Sequence, residues 1–137
     1  EGAGIYLGFK QDVSKEDIPH AIQKNTLSSL LNFIPVKSGD SFFVPAGTVH
    51  AICAGCLICE IQENSNITYR VYDYGRVGAD GKPRELHIEK AIDVTSTKAI
   101  PADGKPQGET EKKDGYSETL LCTCELFTVF GKQNESK

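Results

Sequence analysis

Gly39–His50, GDSFFVPAGTVH, constrains the fold more than any other stretch. Phe42, Phe43 and Val44 form an apolar run that enters Pro45-Ala46-Gly47-Thr48. Proline and glycine at this spacing set a tight reversal, so His50 is expected to emerge at the start of the next strand. The following CLICEIQENSNITYR carries Glu60 and then Arg70. Strands are expected at 4–9, about 41–45, 49–53, 56–62 and 67–73, punctuated by Pro-Ala-Gly-Thr, Ala-Gly and Glu-Asn-Ser-Asn. Strands this short and evenly spaced point to a sandwich or small barrel, a mainly β chain.

Two short helices are expected within 14–31, inserted into the β pattern. Ser14 is a candidate N-cap, with Glu16 and Asp17 near the positive end of the helix dipole. Pro19 sits too late in the first turn to be free of cost, so the helix is expected either to start later than Ser14 or to be distorted there. Asn25-Thr26 reads as a break before the apolar face of Leu27, Leu30 and Leu31. Glu85–Val94 is a third helix candidate. The expected organisation is a β unit over 1–94, a Lys/Gly/Pro/Thr-rich connector over 95–116, and a second, truncated β unit over 117–137. In that last unit one strand is expected, Thr119–Phe130, without a partner.

The net charge is -4, and the 15 Lys and Arg are scattered, which argues against nucleic-acid or anionic-membrane partners. No apolar run reaches transmembrane length and no leader pattern is present, so nothing here sends the chain out of the cytoplasm. The chain starts at Glu1, has no Met, and enters a strand pattern within four residues, so an excised segment is expected. Five cysteines, an odd number in two clusters, read as reduced thiols and not as a disulfide framework.

If 56–62 and 67–73 are strands, Ile58, Glu60 and Gln62 share one face, as do Thr68, Arg70 and Tyr72. Such alternation fits a polar barrel interior. It equally fits a solvated face on which Glu60 and Arg70 form a cross-strand pair. His50, Cys53, Cys56 and Cys59 follow one another at three-residue steps, a conceivable zinc site. The steps place Cys56 on the opposite strand face from Cys53 and Cys59, however, which favours buried apolar thiols. His87 is expected to pack or cap rather than to bind metal.

Gly39, Pro45, Gly47 and His50 fit the second sequence motif of the cupins, although Ala54 stands where the motif ends in asparagine. Together with CEIQENSNITYRVYDYGR and GKPRELHIEKAIDV, this stretch resembles the type I mannose-6-phosphate isomerases over most of residues 1–98. The resemblance implies a partial cupin (jelly-roll) β-barrel with short inserted helices. It also implies zinc-dependent interconversion of mannose 6-phosphate and fructose 6-phosphate through a cis-enediol. On that basis His50 matches a metal ligand, Arg70 a catalytic arginine, and Glu60 a pocket glutamate suited to carry the proton. Arg76, six residues beyond Arg70, lies near where the family places a cation for the substrate phosphate. Residues 1–38 hold no Gln-x-His or His-x-His cluster, so the other implied ligands are not in this chain. The segment alone is expected to bind little zinc, to turn over negligibly, and to self-associate through exposed strand edges. The alternative is a non-catalytic cupin-like sugar-binding or regulatory module.

Overall fold

The computed structural model describes residues 3–65, 67–73, 77–101 and 103–134. The expected first strand forms as β1 (Gly4–Phe9), and the 14–31 insertion folds as α1 (Asp17–Gln23) and α2 (Leu27–Leu30). β2 (Leu31–Pro35) and β3 (His50–Ile52) then flank β1, antiparallel on either side, in the order β2-β1-β3. α3 (Ile88–Val94) follows, and β4 (Thr110–Lys112), β5 (Tyr116–Thr123) and β6 (Thr128–Asn134) make a second antiparallel sheet. The result is mainly β with short inserted helices, in keeping with a partial cupin barrel.

Local chemistry explains the helical insertion. Ser14 Oγ donates to Asp17 Oδ2 at 2.7 Å, and the Asp17 N–H returns to Ser14 Oγ at 3.1 Å. This reciprocal closure forms a turn ahead of α1; the N-cap itself is Glu16, without a side-chain cap bond, in place of the expected Ser14. The Ser14 hydroxyl and then its N–H hold the Asp17 carboxyl below the usual carboxylate range. Pro19 falls in the first turn, where its missing N–H has no intrahelical partner to lose. At the other end Asn25 adopts φ 54°, Thr26 N–H bonds to Ala21 O and Asn25 N–H to Ile22 O. This is the left-handed helix stop that Asn tolerates.

The core lies where these helices meet the first sheet. Phe9, Ile18, Ala21, Ile22, Leu27 and Leu31 are buried together, with Val49, Val71, Ile88 and Ile92 packed around them. Asn32 Nδ2 lies within 3.2 Å of the carbonyls of Leu7, Phe9 and Ile100. It thereby ties the register shift of β1 between Tyr6 and Phe9 to the segment after α3. That segment also runs along the start of the insertion: Val13 N–H bonds to Thr97 O, and Asp12 pairs with Lys98 at 2.6 Å.

Three strand expectations are corrected. Residues 41–45, 56–62 and 67–73 form no regular strand, and the 49–53 strand shortens to 50–52. A strand needs a neighbouring ladder, and β1 already has one neighbour on each side. The apolar side chains meant for a barrel therefore face solvent: Leu57 is fully exposed, and Ile58, Ile61 and Ile67 are more than half exposed. The parity argument for Glu60 and Arg70 fails with those strands. At the far end, Thr119–Phe130 is not one partnerless strand. It breaks at Cys124–Phe127, where Cys124 N–H bonds to Phe127 O, and β5 pairs with both β6 and β4.

The thiols also differ from expectation. Cys53, Cys56, Cys122 and Cys124 are half-buried and Cys59 is exposed, and none of them is in a disulfide. Cys56 Sγ donates to Gly4 O at 3.4 Å, a polar role in place of apolar burial. No helix among the described residues is long and apolar enough to cross a membrane.

Candidate functional site

The reversal before His50 forms as its sequence dictates. Thr48 N–H bonds to Pro45 O at 3.1 Å, and Gly47 sits at φ 79°. A proline-led turn with positive φ two residues later is the type II pattern. Gly47 is constrained a second time, because a Cβ there would lie 2.5 Å from the Val94 carbonyl at the end of α3. Ser96 N–H bonds to Gly47 O at 2.9 Å, so the turn is pinned to α3.

Gly47→Ala therefore combines left-handed strain with a backbone collision, a loss on the order of 2–3 kcal/mol. Thermal unfolding should show a fall of roughly 5–10 °C. Gly39→Ala is the control: φ is 92° but nothing lies within 4 Å, so its cost is strain alone. Equal losses for the two variants would refute the close-approach argument.

His50 begins β3, paired with Leu7 of β1. Its Nδ1 lies 2.9 Å from the carbonyl oxygen of Thr48. A carbonyl only accepts, so the ring proton sits on Nδ1 and the Nε2 lone pair is left for a ligand. A backbone carbonyl orienting an imidazole in this way is the usual support of a metal-binding histidine. The side chain is exposed, not enclosed as the barrel expectation had it, because among the described residues β3 has a neighbour only on its β1 side.

Arg70 is half-buried, and its Nη1 reaches the Glu85 carbonyl at 3.4 Å. Glu60 is exposed, and no hydrogen bond or ion pair joins it to Arg70 or His50 among the described residues, so the cross-strand pair is not formed. Arg76 lies outside the described residues. Nor does any group of three His, Cys, Asp or Glu side chains converge to hold a metal among the described residues. The residues present thus fit one oriented ligand and not a complete zinc site.

Sequence reading missed the ion pair beside Arg70. Arg84 Nε and Nη2 donate to the two oxygens of Asp73 at 2.8 and 2.7 Å. Asp73 is 6% exposed, so a two-pronged guanidinium is the partner such a carboxylate requires. The hydrogen bond to Asp73 raises the Arg84 pKa further. An acid and an arginine flanking a glycine-rich loop was the signal available. A concavity of about 200 Å³ elsewhere, on the second sheet, is lined by Glu109, Glu111 and Glu118. Lys113 and Lys132 pair with two of these carboxylates, and the concavity holds none of the candidate residues.

No family model matches the chain. It is 42% identical over 133 residues to the mannose-6-phosphate isomerase of Streptococcus mutans, covering 95% of this chain and 40% of that protein. Identity to the mannose-6-phosphate isomerase ManA of Bacillus subtilis is 43% over 123 residues, 90% of this chain and 38% of the relative. The crystal structure of the mannose 6-phosphate isomerase from Bacillus subtilis superposes with a TM-score of 0.87 at 37% identity, over 98% of this chain and 42% of the other. The chain spans about 40% of the length of the curated relatives it matches.

Proposed function

We propose that this chain, a mannose-6-phosphate-isomerase-like segment, supplies one wall of the active site of an aldose–ketose isomerase acting on mannose 6-phosphate and fructose 6-phosphate. The observation that carries the reading is the His50 imidazole, held by Thr48 O so that Nε2 is open, at the turn shared with the cupin motif. The likeness to mannose-6-phosphate isomerases along nearly the whole chain supports the substrate class.

Zinc, when bound in the complete site, would be held by His50 together with ligands from outside these residues, and would polarise the sugar oxygens. The chemistry of this chain's own residues follows from their charge. Isomerisation of the aldose through a cis-enediol moves a proton from C2 to C1 and the hydroxyl proton from O2 to O1, while negative charge builds on the neighbouring oxygen. A guanidinium offers several donors and no acceptor, so Arg70 stabilises that oxygen instead of taking the proton. Glu60 is the proton carrier of this wall, a carboxylate able to take and return the proton. Arg76 is the cation for the phosphate.

The absence of a three-ligand group among the described residues favours a second reading, a sugar-binding module without metal. A coupled isomerase assay on the longer protein containing this chain, before and after chelation, separates the two. The enzyme reading expects turnover that chelation removes and zinc restores. A protein that binds the sugar phosphate without turnover at any zinc level would establish the module instead.

A further inference from the structure

The residues just before α3 meet Arg70 at three points. His87 N–H donates to Arg70 O at 2.8 Å, Arg70 N–H points back to His87 Nδ1 at 3.4 Å, and Arg70 Nη1 reaches Glu85 O at 3.4 Å. The first bond is of ordinary length and the other two are long, so the arrangement is anchored by the first and aimed by the others.

His87 itself is held firmly. It precedes α3 directly, and Ala91 N–H closes onto its carbonyl. Ala91 is buried, and Ile88 and Ile92 pack against the core. Because Nδ1 faces an N–H donor, the ring proton belongs on Nε2, on the side of the Glu85 carboxylate 3.8 Å away. The Tyr69 ring stands 6.1 Å from the imidazole, tilted by 54°. The other end of α3 is bonded to the turn that delivers His50, through Ser96 N–H and Gly47 O. A helix of seven residues, about 10 Å long, therefore connects the supports of His50 and Arg70.

We infer that His87 is a positioning residue for Arg70: its Nδ1 holds the Arg70 amide, and the helix behind it fixes where the guanidinium can reach. The inference rests on the role proposed for Arg70 above.

The test is a series at position 87 in the longer, active protein, with amide exchange at Arg70 followed on this chain. His87→Ala should lower kcat about tenfold with KM, zinc content and unfolding temperature nearly unchanged, the size expected from a small misplacement of a charged group. His87→Asn should recover most of the loss, since its side-chain oxygen can accept from the same N–H, whereas His87→Leu, which restores volume only, should not. Exchange at the Arg70 amide should speed up in the Ala and Leu variants and stay slow in the Asn variant. Unchanged kcat in His87→Ala, or recovery by Leu and not by Asn, would overturn the inference. A wild-type protein without isomerase turnover would overturn the proposed function and the positioning role with it, while slow exchange restored only by Asn would still establish the His87–Arg70 bond.

Discussion

Replacing His50 by alanine in the longer, zinc-loaded protein is expected to lose most of the metal and to lower turnover by at least about a hundredfold. The size follows from the residue's position. His50 Nδ1 is committed to Thr48 O, which leaves Nε2 open for the ligand role proposed for it. Alanine removes the donor and leaves that carbonyl in place with nothing to orient. Metal content by elemental analysis and turnover by a coupled assay should fall together. His20→Ala is the comparison, because His20 lies in α1, on the insertion, and should retain both. Full zinc content in His50→Ala would mean that the imidazole is structural.

Arg70→Ala is expected to behave differently, losing roughly a hundredfold to a thousandfold in kcat while zinc content stays near that of the parent. In the role proposed for it, Arg70 would act on charge that develops in the reaction, so its loss should spare metal binding. Arg70→Lys should restore only part of the rate, since an ammonium lacks the planar fork that meets two oxygens at once. Loss of zinc in Arg70→Ala would instead make the arginine a support of the metal wall.

The turn before His50 was legible because its chemistry is local. Pro45 and Gly47 prescribe the backbone, and the structure adds only that Gly47 must also clear Val94 O. The helical insertion was legible for the same reason, from the Ser14–Asp17 closure to the Asn25 stop. The strands beyond Ile52 were not. Their apolar alternation is real, but a strand is made by its neighbour, and Leu57, Ile58 and Ile61 have none to lie against among the described residues.

The same dependence explains the site. Residue type and the family resemblance nominated His50, Glu60 and Arg70 as candidates, whereas their mutual placement rested on strands that do not form, and Glu60 is left exposed without an ion partner among the described residues. The Asp73–Arg84 pair had only an acid and an arginine on either side of a glycine-rich loop to announce it, and the hold of His87 on Arg70, between residues 17 apart, has no local signature, so only the fold reveals it.

The most direct test of the account is anomalous diffraction at the zinc edge from crystals of the longer, active protein. A single peak is expected about 2.0–2.1 Å from His50 Nε2, with Nδ1 still on the Thr48 carbonyl. An active protein whose peak lies on Nδ1, or away from His50 altogether, would contradict it.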